Sequence, residues 1–88
     1  MNGKKPTKVK RLKIIDHIGT LYATFNGSAT WEVDKLAYAI LKMCDGSKTI
    51  DEIAKDIAKK TNIDEKDVKV TLMDIIKEME KLKFIDYV

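Results

Sequence analysis

The chain has 88 residues, of which 44% are hydrophobic and 35% are charged, and its formal net charge is +3. This length and balance predict one folded domain with a modest core, and they exclude an extensively disordered chain. One cysteine excludes an internal disulfide, and no apolar run reaches the roughly 18 residues that a membrane-spanning helix needs.

Lysine dominates the start of the chain. Six of the 17 bases and none of the 14 acids lie in residues 1–13, namely Lys4, Lys5, Lys8, Lys10, Arg11 and Lys13. Residues 1–7 are predicted to form a disordered basic arm before a single domain over residues 8–88. The arm can contact nucleic acid or an acidic partner, although a solvated terminus with a lysine-rich edge strand is the more common explanation. Because this start lacks the apolar segment of a secretory signal, we expect a cytoplasmic protein.

Three strands are predicted before residue 34. They cover Lys8–Ile15, Thr20–Phe25 and Ala29–Val33, with a turn at residues 16–19. Asn26-Gly27 first suggests a two-residue turn, but that register divides the apolar side chains between both faces of the sheet. A three-residue loop places one apolar set on a single face, namely Leu21, Ala23, Ala29, Trp31 and Val33. We therefore predict the three-residue loop, with Gly27 near its position of positive φ.

Capping residues open each of the three helices predicted after residue 33. They are Asp34, Thr49 with its capping-box partner Glu52, and Asp64. The helices are predicted to end near residues 45, 61 and 82, and residues 84–88 to form a short extended segment.

The third helix carries two apolar sets. Its core stripe comprises Val68, Leu72, Ile75, Ile76, Met79 and Leu82. Val70 and Met73 fall outside this stripe, among Lys66, Lys69 and Lys77. These two side chains are either ordinary surface hydrophobes or part of a binding site.

The residue types of an enzyme site do not cluster in the sequence. His17, the only histidine, is expected in a surface turn, and Asp16 alone does not complete a metal or catalytic set. Cys44 lies on an apolar helix face near a C-terminus, where a thiol is expected to be a core residue rather than a nucleophile. The four glycines are isolated, so no phosphate loop is present. We therefore expect no catalysis, no metal and no cofactor.

The second and third helices, joined by a short turn, resemble the helix-turn-helix of winged-helix DNA readers. The candidate recognition helix argues against that function. Between Glu65 and Leu82 it carries five acids and four bases, with no arginine or glutamine for paired contacts to a base. A DNA-binding regulator therefore stays as the alternative, and we expect nucleic acid to be an improbable partner.

The segment 33–54 closely resembles the PqqD family, also called RiPP recognition elements. The matching positions are Val33, Asp34, Ala37, Ile40, Leu41, Met43, Cys44, Asp45, Gly46, Thr49, Ile50, Glu52, Ile53 and Ala54. One departure is Asp34, which stands where the family usually has asparagine, and both residues cap helices. The order of strands and helices also agrees, so the resemblance covers roughly residues 8–85.

This resemblance implies an α+β fold, in which a three-stranded antiparallel sheet is followed by three helices in a winged-helix-turn-helix-like arrangement. It also implies a peptide chaperone without catalytic activity. Members of the family bind the leader of a ribosomally synthesised precursor peptide and present it to a modifying enzyme, often a radical S-adenosylmethionine (SAM) enzyme. The leader adds as a fourth strand beside the third strand, next to the third helix.

The residues of this chain agree with strand addition. The predicted open edge comprises Ser28, Ala29, Thr30, Trp31, Glu32 and Val33, and it contains no proline or lysine. Trp31 is expected to anchor the core rather than to contact the peptide. A second wall is predicted on the third helix from Val70 and Met73, with Lys66, Lys69 and Lys77 favouring an acidic leader.

Overall fold

The computed structural model describes residues 3–28 and 30–88. Its strands and helices, in chain order, are β1 (Pro6–Lys8), β2 (Lys13–His17), β3 (Thr20–Thr24), β4 (Thr30–Val33), α1 (Lys35–Met43), α2 (Ile50–Thr61), α3 (Glu65–Lys81) and β5 (Ile85–Tyr87). The α+β fold is confirmed: an antiparallel sheet in the order β2-β3-β4 is followed by three helices.

The register of the hairpin β3–β4 is the one predicted from the apolar pattern. Ala23 lies opposite Trp31, and Leu21 lies opposite Val33. Gly27 has a φ of +84°, as expected for its place in the loop. The inward face carries the fully buried Ala23, so burial of one apolar face sets the register. Ala29 of the same predicted face lies outside the described residues.

The start of the chain differs from its prediction. Pro6 and Thr7 of the predicted disordered arm belong to β1, which pairs with β5, and Pro6 is among the most buried side chains. Residues 1 and 2 of the arm lie outside the described residues. The backbone N–H of Lys8 donates to the carbonyl of Cys44 at 2.8 Å, and that of Gly46 donates to the carbonyl of Pro6 at 3.0 Å. These backbone hydrogen bonds join residues far apart in the chain. A short, lysine-rich segment contains no local sequence pattern that would predict them.

The first strand of the main sheet also begins later than predicted. It starts at Lys13 rather than at Lys8, because the chain turns at residues 10 and 11. The Lys8 ammonium supports this turn by donating to the carbonyl of Leu12 at 2.7 Å. His17 is the last residue of β2 rather than part of the turn, and it is exposed.

The predicted helix caps are confirmed. Asp34 accepts a hydrogen bond from the N–H of Ala37 at 2.7 Å, and Thr49 and Glu52 form the complete capping box of α2. Asp64 caps α3. These short-range bonds set where each helix begins, which is why the boundaries are readable from sequence.

Three aromatic rings join the sheet to the end of α3. Trp31 of β4 packs edge-on against Phe84, with ring centroids 5.5 Å apart, and Phe25 lies 6.0 Å from Trp31 and 5.8 Å from Phe84. Edge-to-face pairs each add about 0.5–1.5 kcal/mol beyond the apolar area that they bury. The expectation that Trp31 is a core anchor agrees with this packing against the buried core.

In the turn between β2 and β3, one residue with a branched side chain has a left-handed backbone conformation that disfavours such side chains. Ile18 has a φ of +52° and a side chain that is 91% exposed, followed by Gly19 with a φ of +81°. A left-handed conformation costs about 1–2 kcal/mol for a residue with a side chain, whereas Asn-Gly suits such a turn.

We therefore expect Ile18→Asn to raise the free energy of unfolding by about 1 kcal/mol in urea denaturation. Ile18→Val, which keeps the β-branched strain, is the control, and equal stability of both variants would contradict this account.

Candidate peptide-binding edge

Strand β4 forms one edge of the three-stranded sheet. Among the described residues no further strand pairs with its outer side, and β2 forms the opposite edge. The strand is shorter than the predicted edge, since Ser28 lies in the loop, where its N–H donates to the Asn26 side chain at 2.9 Å. Ala29 of the predicted site lies outside the described residues.

The register identifies the backbone groups on this free edge. The two-residue turn at Ile18-Gly19 makes the flanking pair, His17 and Thr20, a hydrogen-bonded pair. Alternation along β3 then directs the backbone groups of residues 20, 22 and 24 to β2, and those of residues 21 and 23 to β4. Because Leu21 and Ala23 lie opposite Val33 and Trp31, the N–H and C=O groups of Thr30 and Glu32 point outward.

The side chains of β4 alternate in the same way. Trp31 and Val33 point inward and are half-buried, whereas Thr30 and Glu32 are exposed on the outer face. The edge therefore combines side chains anchored in the core with outward backbone groups at Thr30 and Glu32. This arrangement can accept an extended segment without disturbing the bonds between β3 and β4.

Part of the predicted second wall borders a cavity between α3, the start of α2 and β5. Lys69, Met73 and Lys77 line a cavity of about 470 Å³ together with residues from three other elements or segments: Lys4, Ile50, Asp51 and Tyr87. None of the described residues of β4 lines this cavity. The Lys69 ammonium lies 2.6 Å from the Asp51 carboxylate, so it bridges α3 to the start of α2.

Lys66 and Val70 belong to the same side of α3 by helical spacing, and Val70 is 63% exposed. Because the described residues of β4 do not line that cavity, the placement of these five residues beside β4 stays a prediction. The sequence identified an apolar and basic flank of α3 correctly as lying off the core stripe. It contained no signal for which neighbouring element that flank would meet.

A second groove lies between the start of α1 and α3, and sequence reasoning missed it. It is about 230 Å³ in volume and is lined by Leu36, Ile40, Ile57, Thr61, Ile63, Asp67, Val68, Thr71 and Leu72. Leu36 is 54% exposed and Ile63 51% exposed, so both apolar side chains are accessible to a ligand. Because Leu36 lies only three residues after the end of β4, the groove is close to the end of the free edge. The available signal was Leu36 and Ile63, two apolar residues beside helix caps.

The titratable groups do not form a reactive set. Cys44 is 2% exposed, and burial, with a smaller contribution from the Asp45 carboxylate, raises the pKa of its thiol to about 11. In the part of the chain that the structure describes, no three metal-binding side chains gather into a site. None of the described helices has the length and hydropathy needed to cross a bilayer.

Comparison with known families adds to this geometry. The model of the PqqD family, described as Coenzyme PQQ synthesis protein D, matches residues 14–85. The chain belongs to the PqqD family. Comparisons with curated proteins and with solved structures find no significant match. In this PqqD-family chain the matched range contains β4, the groove and all three helices.

The Cys44 environment leads to a prediction about reactivity. With a pKa of about 11, only about one thiol in a thousand is a thiolate at pH 8, and the sulfur is also shielded from solvent. We expect iodoacetamide to alkylate native Cys44 at least about a hundredfold more slowly than the protein unfolded in urea, as followed by mass spectrometry. Comparable rates in the two states would contradict the burial of this thiol.

Proposed function

We propose that this protein is a peptide chaperone that binds the leader of a ribosomally synthesised precursor peptide along the free edge of β4. The observation that carries the proposal is the outward direction of the Thr30 and Glu32 backbone groups, in a chain of the PqqD family. An extended peptide can pair with these groups and continue the sheet as a fourth strand.

The chemistry of the edge supports this function. The free edge of a sheet promotes unwanted pairing unless proline, lysine or a covering element protects it. The β2 edge carries Lys13, whereas Thr30–Val33 has no proline or lysine and Glu32 as its one charge. A strand edge without these protections is suited to pairing with an extended peptide.

The groove supplies the contacts that backbone pairing lacks. Backbone hydrogen bonds are nearly independent of sequence, so selectivity requires side-chain pockets. The exposed Leu36 and Ile63 both line an apolar groove near the end of the edge. An apolar leader side chain inserted there would cover both.

The protein itself performs no chemistry in this proposal. It presents the bound leader to a modifying enzyme, a radical SAM enzyme being the class that the family resemblance suggests, and it needs no cofactor of its own. The same assignment makes the cytoplasm the expected location. The DNA-binding alternative gains no specific support, because α3 carries five acids and four bases.

The direct test is a titration of isotopically labelled protein with the precursor peptide encoded beside it, followed by amide chemical shifts. We expect shifts at residues 30–33 and around Leu36, with an affinity in the micromolar range or tighter. Shifts confined to the basic start of the chain would contradict the proposal. Tight, sequence-selective DNA binding at physiological salt in a mobility-shift assay would favour the regulator instead.

A proline substitution tests the role of the backbone. Glu32→Pro removes an outward N–H without removing a bond to β3, so we expect it to weaken peptide binding about tenfold relative to Glu32→Ala. Isothermal titration calorimetry measures the difference, and circular dichroism checks that both variants fold. Equal affinities of the two folded variants would rule out backbone pairing at this position.

A further inference from the structure

Helix α3 has two flanks of opposite charge. On one flank, Lys66, Val70, Met73 and Lys77 follow one another at helical spacing, with Lys69 beside them. The same spacing places Asp67, Thr71, Asp74 and Glu78 together on the other flank, which we call the acidic flank. The same spacing places Lys81 after Glu78 and Glu80 after Lys77. The acidic flank therefore has three acids and one base, whereas the lysine flank has three bases and one acid.

The acidic flank is the one that meets the start of α1. Asp67 and Thr71 line the groove together with Leu36 and Ile40 of α1, and α1 directly follows β4. The acidic flank is therefore the one nearer the end of β4, whereas the lysine flank faces β5 and the start of α2.

Charge in the groove has one sign. Asp67 is the only charged residue among the described residues that line it. Glu78 continues the same flank toward the aromatic cluster, and Glu32 lies on the outer face of β4. Lys35 is close in sequence to Leu36, but it does not line the groove.

A strand added to β4 would meet two different surfaces. Its side chains alternate, so every second one points inward to the groove and the acidic flank. The others lie on the outer face, where the nearest charge on β4 is Glu32. Apolar side chains suit the inward positions, and basic side chains suit the outward positions and the ends near Asp67 and Glu78.

We infer that the peptide bound at this edge is basic and has apolar residues at alternate positions, and that it is not acidic. The inference rests on the proposed function, and it reverses the expectation drawn from Lys66, Lys69 and Lys77. Those lysines cannot select a peptide at β4 from the opposite flank of the helix.

The net charge of the protein makes the inference testable. With a formal charge of +3, non-specific attraction favours an acidic peptide. The probes are two synthetic peptides with the same alternating leucine and valine residues, one with lysine and the other with glutamate at every intervening position. We expect the lysine peptide to bind about fivefold to tenfold more tightly at low salt, and the preference to shrink at high salt.

Matched neutral variants locate the selecting charges. The double variant Asp67→Asn with Glu78→Gln is expected to lower the preference for the lysine peptide several-fold. Lys66→Gln with Lys77→Gln, an equally conservative pair on the opposite flank, is expected to leave the preference unchanged. Circular dichroism confirms that both double variants fold, and amide shifts at residues 30–33 report whether each peptide occupies the β4 edge.

The outcomes separate the two proposals. If the glutamate peptide binds more tightly while shifts at residues 30–33 persist, strand addition stands and the inference about charge is overturned. It is also overturned if the preference follows Lys66 and Lys77. If neither peptide perturbs residues 30–33, the inference about charge is also overturned, and the titration with the encoded precursor decides the proposed function separately.

Discussion

The contact between Trp31 and Phe84 is the constraint on which the proposed peptide-binding edge depends. Phe84 follows α3 and Trp31 lies in the middle of β4, so their packing attaches the last strand of the sheet to the helices. With the Trp31 side chain held inward, the alternation of the strand leaves Thr30 and Glu32 on the outer face and directs their backbone groups away from β3. The aromatic cluster thus fixes the rotation of β4 and, through it, the backbone groups offered to a partner.

The helices complete a surface that backbone pairing alone would leave unselective. α1 begins directly after β4 and carries Leu36 into the groove, while α3 contributes Val68 and Leu72 to its floor and Asp67 to its rim. A peptide chaperone must bind firmly without altering its ligand. In the proposed function, an open strand edge near an apolar groove meets that requirement, because backbone bonds and side-chain pockets bind a peptide without a chemical step. Membership of the PqqD family agrees with this division between binding and chemistry.

The two flanks of α3 show what helical periodicity predicts: it identifies the residues that face the core, but not the elements that lie beside the other faces. Periodicity separated the core stripe from Val70 and Met73, and the structure leaves Val70 exposed while Met73 lines a cavity. Predicting which strand or helix lies next to Val70 and Met73 requires knowing which elements pack on each side of α3. The cavity behind Met73 is closed by Lys4 and Tyr87, from the two ends of the chain. Their approach depends on pairing between β1 and β5, whose short sequences carry no distinctive pattern.

The sequence by itself determined the features that arise between near neighbours. The caps at Asp34, Thr49 and Asp64 and the hairpin register between Ala23 and Trp31 follow from local hydrogen bonds and from burial of one face of a strand. The family was also evident from the ordered pattern across residues 33–54. Only the tertiary structure decided that Pro6–Lys8 is a strand. It also decided that Asp67 and Thr71 of α3 line a groove with the start of α1, whereas Lys69, Met73 and Lys77 line a cavity with the start of α2 and β5. Both depend on contacts between residues far apart in the chain, which are set by the packing of whole elements and leave no periodic signal in the segments involved.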